Sequence, residues 1–310
     1  MSRRTVLLSL LAAATLAIPA ISGCADSGGN QPGGSPTSAT AAFPVTVGNL
    51  TLDKRPEKIV SLSPSTTEML FAVGAGAQVK AVDDNSNFPA EAPKTSLSGF
   101  KPNAEAIAGQ SPDLVVLSND IDNVVASLGA LKIPVYLAPA AVTLDDTYRQ
   151  LADLGKLTGH PTEAADVVQR MKDDIDKLVK DAPQRSTKLS YYYELDPTFY
   201  TVTSKTFIGS LFTLFGLENI ADAADSAGSG YPQLNQEALV KADPDMIFLA
   251  DTKCCQQSTA TVSARAGWAG ITAVKSGQIV ALDDDIASRW GPRVVDLVRA
   301  IADAVAKAPA

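Results

Sequence analysis

Two glutamates stand in the same short frame. Glu105 lies in NAEAIAGQSPD, Asn103 to Asp113, and Glu237 in NQEALVKADPD, Asn235 to Asp245; both read N-x-E-A-[IL]-x4-P-D ahead of an apolar run. An Asn at that place accepts backbone N–H groups of a first helical turn. A carboxylate two residues on falls where the positive end of the helix favours it. Pro-Asp then stops the helix and feeds a strand. Either glutamate alone reads as a stabilised helix start, but together they put one anionic side chain at equivalent points of two similar lobes. A symmetric partner with two cationic pockets can read such a pair.

Other reactive types are sparse. The single histidine, His160, excludes a multi-histidine metal site and leaves one candidate base for a serine triad. It precedes Pro161 and reads as a helix-opening residue. Ser63 and Ser65 in SLSPSTTE sit on a strand–turn–helix that could carry a nucleophile, yet no G-x-S-x-G elbow is present. Asp283, Asp284 and Asp285 lack the spacing, glycine and closing glutamate of a calcium loop. Cys254 and Cys255 are neighbours. A disulfide between them would be short of span, because adjacent Cα atoms lie about 3.8 Å apart, so a strained ring and two thiols both stay open.

The first 23 residues read as a signal peptide: Arg3 and Arg4, an apolar run from Val6 to Ile18 too short for a comfortable span, then small residues up to Cys24. Residues 24–42, rich in Ser, Gly, Pro, Thr and Ala, suit a flexible tether. Without the signal the chain has 24 basic against 34 acidic residues, which makes nucleic acid an unfavoured partner.

The elements that must position these residues alternate. Lys58–Leu62, Val79–Val82, Leu114–Leu117 and Val135–Leu137 are short β-branched runs separated by helical stretches, as in a parallel sheet covered on both faces. From Leu144 to Asp181 only helical spacing occurs, divided at Pro161. Alternation resumes with Leu189–Tyr193, Met246–Leu249 and Ile279–Leu282, and a last helix runs from Val294 to Val305. The expected organisation is an α/β fold of two Rossmann-like lobes, 43–144 and 184–310, bridged by a long helical connector over 145–183.

Ile59–Glu68 (IVSLSPSTTE), the twin frames and Arg289-Trp290-Gly291-Pro292-Arg293 together resemble the substrate-binding lipoproteins of ABC importers for vitamin B12, ferric siderophores and haem. Ile21-Ser22-Gly23-Cys24 is similar to a lipobox. The resemblance implies a lipidated Cys24 holding a monomer on the outer face of the bacterial cell membrane. It also implies that Glu105 and Glu237 dock on arginines of a dimeric permease, and that a chelate, a cobalt corrinoid or iron compound, is carried as cargo with no resident cofactor or metal and no catalysis. By similarity to the B12-binding branch the cleft is expected to be lined by Asn85, Phe100, Ser118, Tyr193, Tyr231, Asp285 and Arg289, with Trp290 offering a further flat face. A haem cargo would recruit Tyr231, Tyr193 or Tyr200 to iron. An anchored hydrolase using Ser63 or Ser65 is the rival enzyme reading.

Overall fold

The computed structural model describes residues 42–309, so the signal peptide, the tether up to residue 41 and Cys24 lie outside the described residues. A small antiparallel hairpin comes first, β1 (Val45–Val47) and β2 (Leu50–Leu52). The first lobe then runs β3 (Ile59–Leu62), α1 (Pro64–Ala72), β4 (Val79–Val82), α2 (Ala104–Ala108), β5 (Leu114–Leu117), α3 (Val124–Ala130) and β6 (Val135–Leu137). Two helices follow, α4 (Leu144–Thr158) and α5 (Pro161–Asp181).

The second lobe runs β7 (Ser190–Glu194), α6 (Phe207–Thr213), β8 (Glu218–Asn219), α7 (Gln236–Ala242), β9 (Met246–Leu249), α8 (Thr259–Ser263), α9 (Thr272–Lys275), β10 (Ile279–Ala281), α10 (Asp284–Ala287) and α11 (Val294–Lys307). Both sheets are parallel. Their orders, β4-β3-β5-β6 and β8-β7-β9-β10, are the same winding, with the first strand of each lobe between its second and third.

Strand side chains alternate between two covered faces. Leu114 and Val116 enter the central core while Val115 and Leu117 pack with α3 on the outside; Tyr191, Tyr193, Met246 and Phe248 do the same in the second sheet, opposite Tyr192, Ile247 and Leu249. That pattern is why these strands read as continuous apolar runs.

The connector, expected over 145–183, holds two helices. Gly159, at φ 82, ends α4, and Pro161 opens α5 in a new direction. α4 packs on α1 and the hairpin, whereas α5, 21 residues and about 31 Å long, packs on α4 and on α11 of the second lobe. A helix–turn–helix therefore joins the sheets, and α5 carries the helix packing on α11 of the second lobe. One continuous apolar core runs from Ile59 and Val116 through Leu154 of α4 and Met171 of α5 to Tyr191, Phe248 and Ile301. Sliding the lobes apart would expose that core, so the join is stiff.

Candidate functional site

In open parallel sheets ligands sit outside the carboxyl ends of the strands, near the point where strand order reverses. Here the carboxyl ends of the two sheets meet. The segment after β4 touches the segment after β10: Arg289 donates through Nη2 to the Asn85 carbonyl (3.2 Å) and through Nη1 to Asn87 Oδ1 (2.9 Å), and Asn87 Nδ2 donates to Asp285 (3.0 Å). Asp285 also accepts from Arg289 (2.6 Å) and Lys253 (2.8 Å). Burial pushes its carboxyl up, but the bonds from Lys253 and Asn87 and the Arg289 charge outweigh this and hold it below the usual carboxylate range.

Beneath this contact lies Glu68 of α1, 3% exposed. It accepts from Arg289 Nη1 (2.9 Å) and from Arg293 Nε and Nη2 (3.0 and 2.6 Å). The bond to Glu68 raises Arg293, whose guanidinium also lies 4.1 Å from the Phe88 ring centre. Gly291 fits closely there, because a Cβ would stand 3.2 Å from Glu68 Oε2 and 3.3 Å from the Ser65 carbonyl.

Each lobe exposes an aromatic ring on a segment bonded to the loops at its strands' carboxyl ends. Phe100, 70% exposed, follows Gly99, which packs against the Leu62 carbonyl and Asp83 and receives the Asn119 amide at the ends of β3, β4 and β5. Tyr231, 50% exposed, rides on a segment hydrogen-bonded to the loop after β7 through Gly230–Thr203 and Pro232–Thr201. Tyr200, on that same loop, is also exposed. Ser118 is half-buried at the end of β5, and Asn85 is exposed after β4, with β3 between the two strands.

One expected cleft residue is corrected. Tyr193 is fully buried, packed edge-on to Phe212 and donating to the Ala287 carbonyl at 2.8 Å, so it faces neither a chelate nor iron. Its position in β7 sends it into the central core. Trp290 is half-buried and donates its indole N–H to Gln150 of α4 at 3.0 Å, while its carbonyl accepts from Thr147. It fastens the second lobe to α4.

Glu105 and Glu237 are both exposed in the first turns of α2 and α7, whose caps Asn103 and Asn235 accept from Ala106 and Ala238 (2.8 and 2.7 Å). The repeated frame also contains something the sequence reading missed. Asp113 accepts the backbone N–H groups of Glu57 and Lys58, and Asp245 accepts those of Ser190 N–H and hydroxyl, so each pins the start of its lobe's first strand. Ser111 and Asp243, eight residues after each Asn, both adopt positive φ (52 and 47).

The loop after β9 holds Cys254 and Cys255 as free thiols with sulfurs 2.7 Å apart. Behind it, Glu194 and Asp251 cap one face of β7 and β9, both fully buried, and Arg265 clamps Glu194 with two 2.6 Å bonds. Among the described residues the Asp251 carboxyl oxygens accept no donor; burial first, then the Glu194 charge, pushes the group up to about 7.

Among the described residues His160 hydrogen-bonds neither Ser63 nor Ser65. Ser65 Oγ accepts the Trp290 N–H, while His160 contacts Arg55 (3.0 Å) and Thr158 (3.2 Å) and is lowered by burial and by the Arg55 charge. Two marked surface concavities, one beside Tyr136 and Asp153 and one beside Arg185 and Phe215, include none of the cleft residues.

A sequence profile of the periplasmic binding protein family matches residues 59–286. The chain is 30% identical to an uncharacterized ABC transporter substrate-binding lipoprotein, YvrC, of Bacillus subtilis, over 95% of each chain. It is also 30% identical to a cobalamin-binding protein of Halobacterium salinarum, over 85% of this chain and 74% of that one. The solved periplasmic vitamin B12 binding protein BtuF of Vibrio cholerae superposes with a TM-score of 0.65 at 25% identity, covering 81% of this chain and 96% of that one.

Proposed function

The chain belongs to the periplasmic binding protein family, and on that premise we propose that it captures a corrinoid or ferric-siderophore chelate between its lobes and delivers it to an ABC importer permease. The observation that carries this reading is that each lobe exposes an aromatic ring, Phe100 and Tyr231, on a segment bonded to the loops at its strands' carboxyl ends. Flat apolar faces suit a large macrocycle, and the polar edge formed by Asn85, Ser118, Asp285 and Arg289 suits its amide or carboxylate substituents. Arg289 is already bonded to both lobes and acts chiefly by holding Asp285 and the 85–87 segment in place.

Delivery rests on Glu105 and Glu237, exposed at equivalent places in the two lobes, which dock on cationic pockets of a dimeric permease. Cys24, lipidated, tethers the monomer to the outer face of the cell membrane. Haem is the second reading, for which exposed Tyr231 or Tyr200 would supply the ligand to iron.

The test is equilibrium titration with cyanocobalamin, haemin and a ferric hydroxamate, read by tryptophan fluorescence and by retention on dialysis. Saturable binding of a probe by the wild type, weakened in the Phe100→Ala/Tyr231→Ala double variant, is expected. Failure of all three to bind would overturn the reading.

A further inference from the structure

The loop between β9 and α8 is folded around one carboxylate. Asp284 accepts the backbone N–H groups of Thr252 (2.8 Å), Lys253 (3.0 Å) and Cys254 (2.9 Å), together with the Thr252 hydroxyl (2.7 Å). The far side is held by Cys255 and Gln257, whose N–H groups reach the Asp251 carbonyl. Between these anchors the two thiols touch at 2.7 Å, with Cys254 exposed.

The loop is also wired to the cleft. Lys253 Nζ bridges Asp283 (2.7 Å) and Asp285 (2.8 Å), and Asp285 bonds Arg289 and Asn87 across the lobes. The thiols are therefore one residue away from a side chain that ends on the interlobe contact.

We propose that Cys254 and Cys255 are a reversible redox-modification site, closing to a vicinal disulfide that resets the Lys253 bridge and with it the hold of the cleft on its cargo. The oxidant is a disulfide, RSSR. A thiolate of the pair attacks one of its sulfurs, breaks the S–S bond and expels RS⁻, giving a mixed disulfide. The neighbouring sulfur then displaces the second RS⁻. The pair gives up two protons and two electrons, and RSSR takes both as two RSH.

Closure has to act on the backbone. Adjacent Cα atoms are about 3.8 Å apart, below the usual range for a disulfide, so ring formation turns the 254–255 peptide and its neighbours. Gln256 already lies at φ 56, and the Cys254 N–H is committed to Asp284. The Lys253 N–H is held by the same carboxylate at 3.0 Å, so closure shifts the Asp284-bound 252–254 segment as a unit and carries Lys253 with it.

The effect on cargo rests on the proposed chelate function; disulfide formation does not. Full-length protein is treated with oxidised glutathione, denatured, blocked with N-ethylmaleimide and digested with trypsin. Residues 254–265 form one tryptic peptide with both thiols and no other cysteine. Expected is a peptide two hydrogens lighter than the dithiol, free of maleimide, that takes two maleimides once reduced. A peptide carrying two maleimides, or a lasting glutathione adduct, would overturn the site.

Cyanocobalamin, haemin and a ferric hydroxamate are then titrated into oxidised and reduced protein. An affinity shift of at least threefold is expected, absent from the Cys254→Ser/Cys255→Ser variant. Equal affinities with the disulfide formed would overturn the coupling. Binding of no probe in either state would refute the chelate reading instead, with the peptide map still deciding the disulfide.

Discussion

Arg289 of the second lobe donates to Glu68 of the first at 2.9 Å, with 9% and 1% of the two side chains exposed. Charges this far from water need complete pairing, and Arg293 completes it on Glu68 while Asp285 and Asn87 complete it on Arg289. The contact fixes the separation of the two sheet ends. Together with the shared apolar core it argues for a cleft of nearly constant width, not one that closes about a wide hinge.

Glu68→Ala is expected to lower unfolding stability by about 3 kcal/mol, because two guanidinium groups would lose a buried partner. The check is the denaturant midpoint under unchanged slope. A loss below ~1 kcal/mol would mean that water replaces the carboxylate freely and that the junction is more open than described.

Phe100→Ala and Tyr231→Ala should each weaken chelate binding about tenfold, equivalent to ~1.4 kcal/mol, with little change in melting temperature, since both rings are exposed in the free protein. Tyr193→Phe should show the reverse: a loss of about 1 kcal/mol in stability from the unpaired Ala287 carbonyl, with unchanged affinity. Calorimetric titration and thermal melts of the three variants separate the two patterns. An affinity loss in Tyr193→Phe equal to that in Tyr231→Ala would return Tyr193 to the cleft.

Glu105→Ala combined with Glu237→Ala should leave chelate affinity intact and reduce uptake through the cognate permease at least tenfold. Both side chains are solvent-exposed, and their share in helix stability is at most ~1 kcal/mol each. Uptake in cells carrying the double variant is the measurement, alongside a charge-reversed control, Lys80→Glu, away from both frames. Normal uptake with the double variant would remove the docking role.

Much of the fold was legible because parallel strands buried on both faces leave uninterrupted β-branched runs, and the repeated N-x-E-A frame marked the same strand–helix step in each lobe. The frame hid its second role. Pro-Asp reads as a helix stop, and only the sheet register brings Asp113 to Lys58 and Asp245 to Ser190. The expectation for Tyr193 came from the family resemblance, although the two-residue alternation through Tyr191 already pointed it inward. Glu68 left a readable mark, a charge amid buried Thr67, Met69 and Leu70, but its two arginine partners lie more than 200 residues away and nothing local connects them. The helical block was legible as helix, whereas its division of labour depends on tertiary packing: α4 settles on α1, and α5 packs on α11.

The Asp251 carboxyl gives the second lobe a pH response of its own. Equivalent strand ends in the first lobe offer Asn119, neutral and bonded to Gly99, where the second has Asp251 beside Glu194 with only Arg265 to offset both. In the folded chain burial and the Glu194 charge lift Asp251 from the ordinary value of 3.8 to about 7. Because the folded state binds this proton more tightly than the unfolded chain, the group favours folding fully below pH ~4, and that contribution is lost as pH rises toward 7. Asp251→Asn removes the titration while keeping shape. The variant should therefore match wild type in melting temperature near pH 4 and exceed it by several degrees at pH 8, in a scan at constant ionic strength. Parallel wild-type and variant curves from pH 4 to 8 would show that Asp251 stays ionised throughout and that Arg265 neutralises both carboxylates.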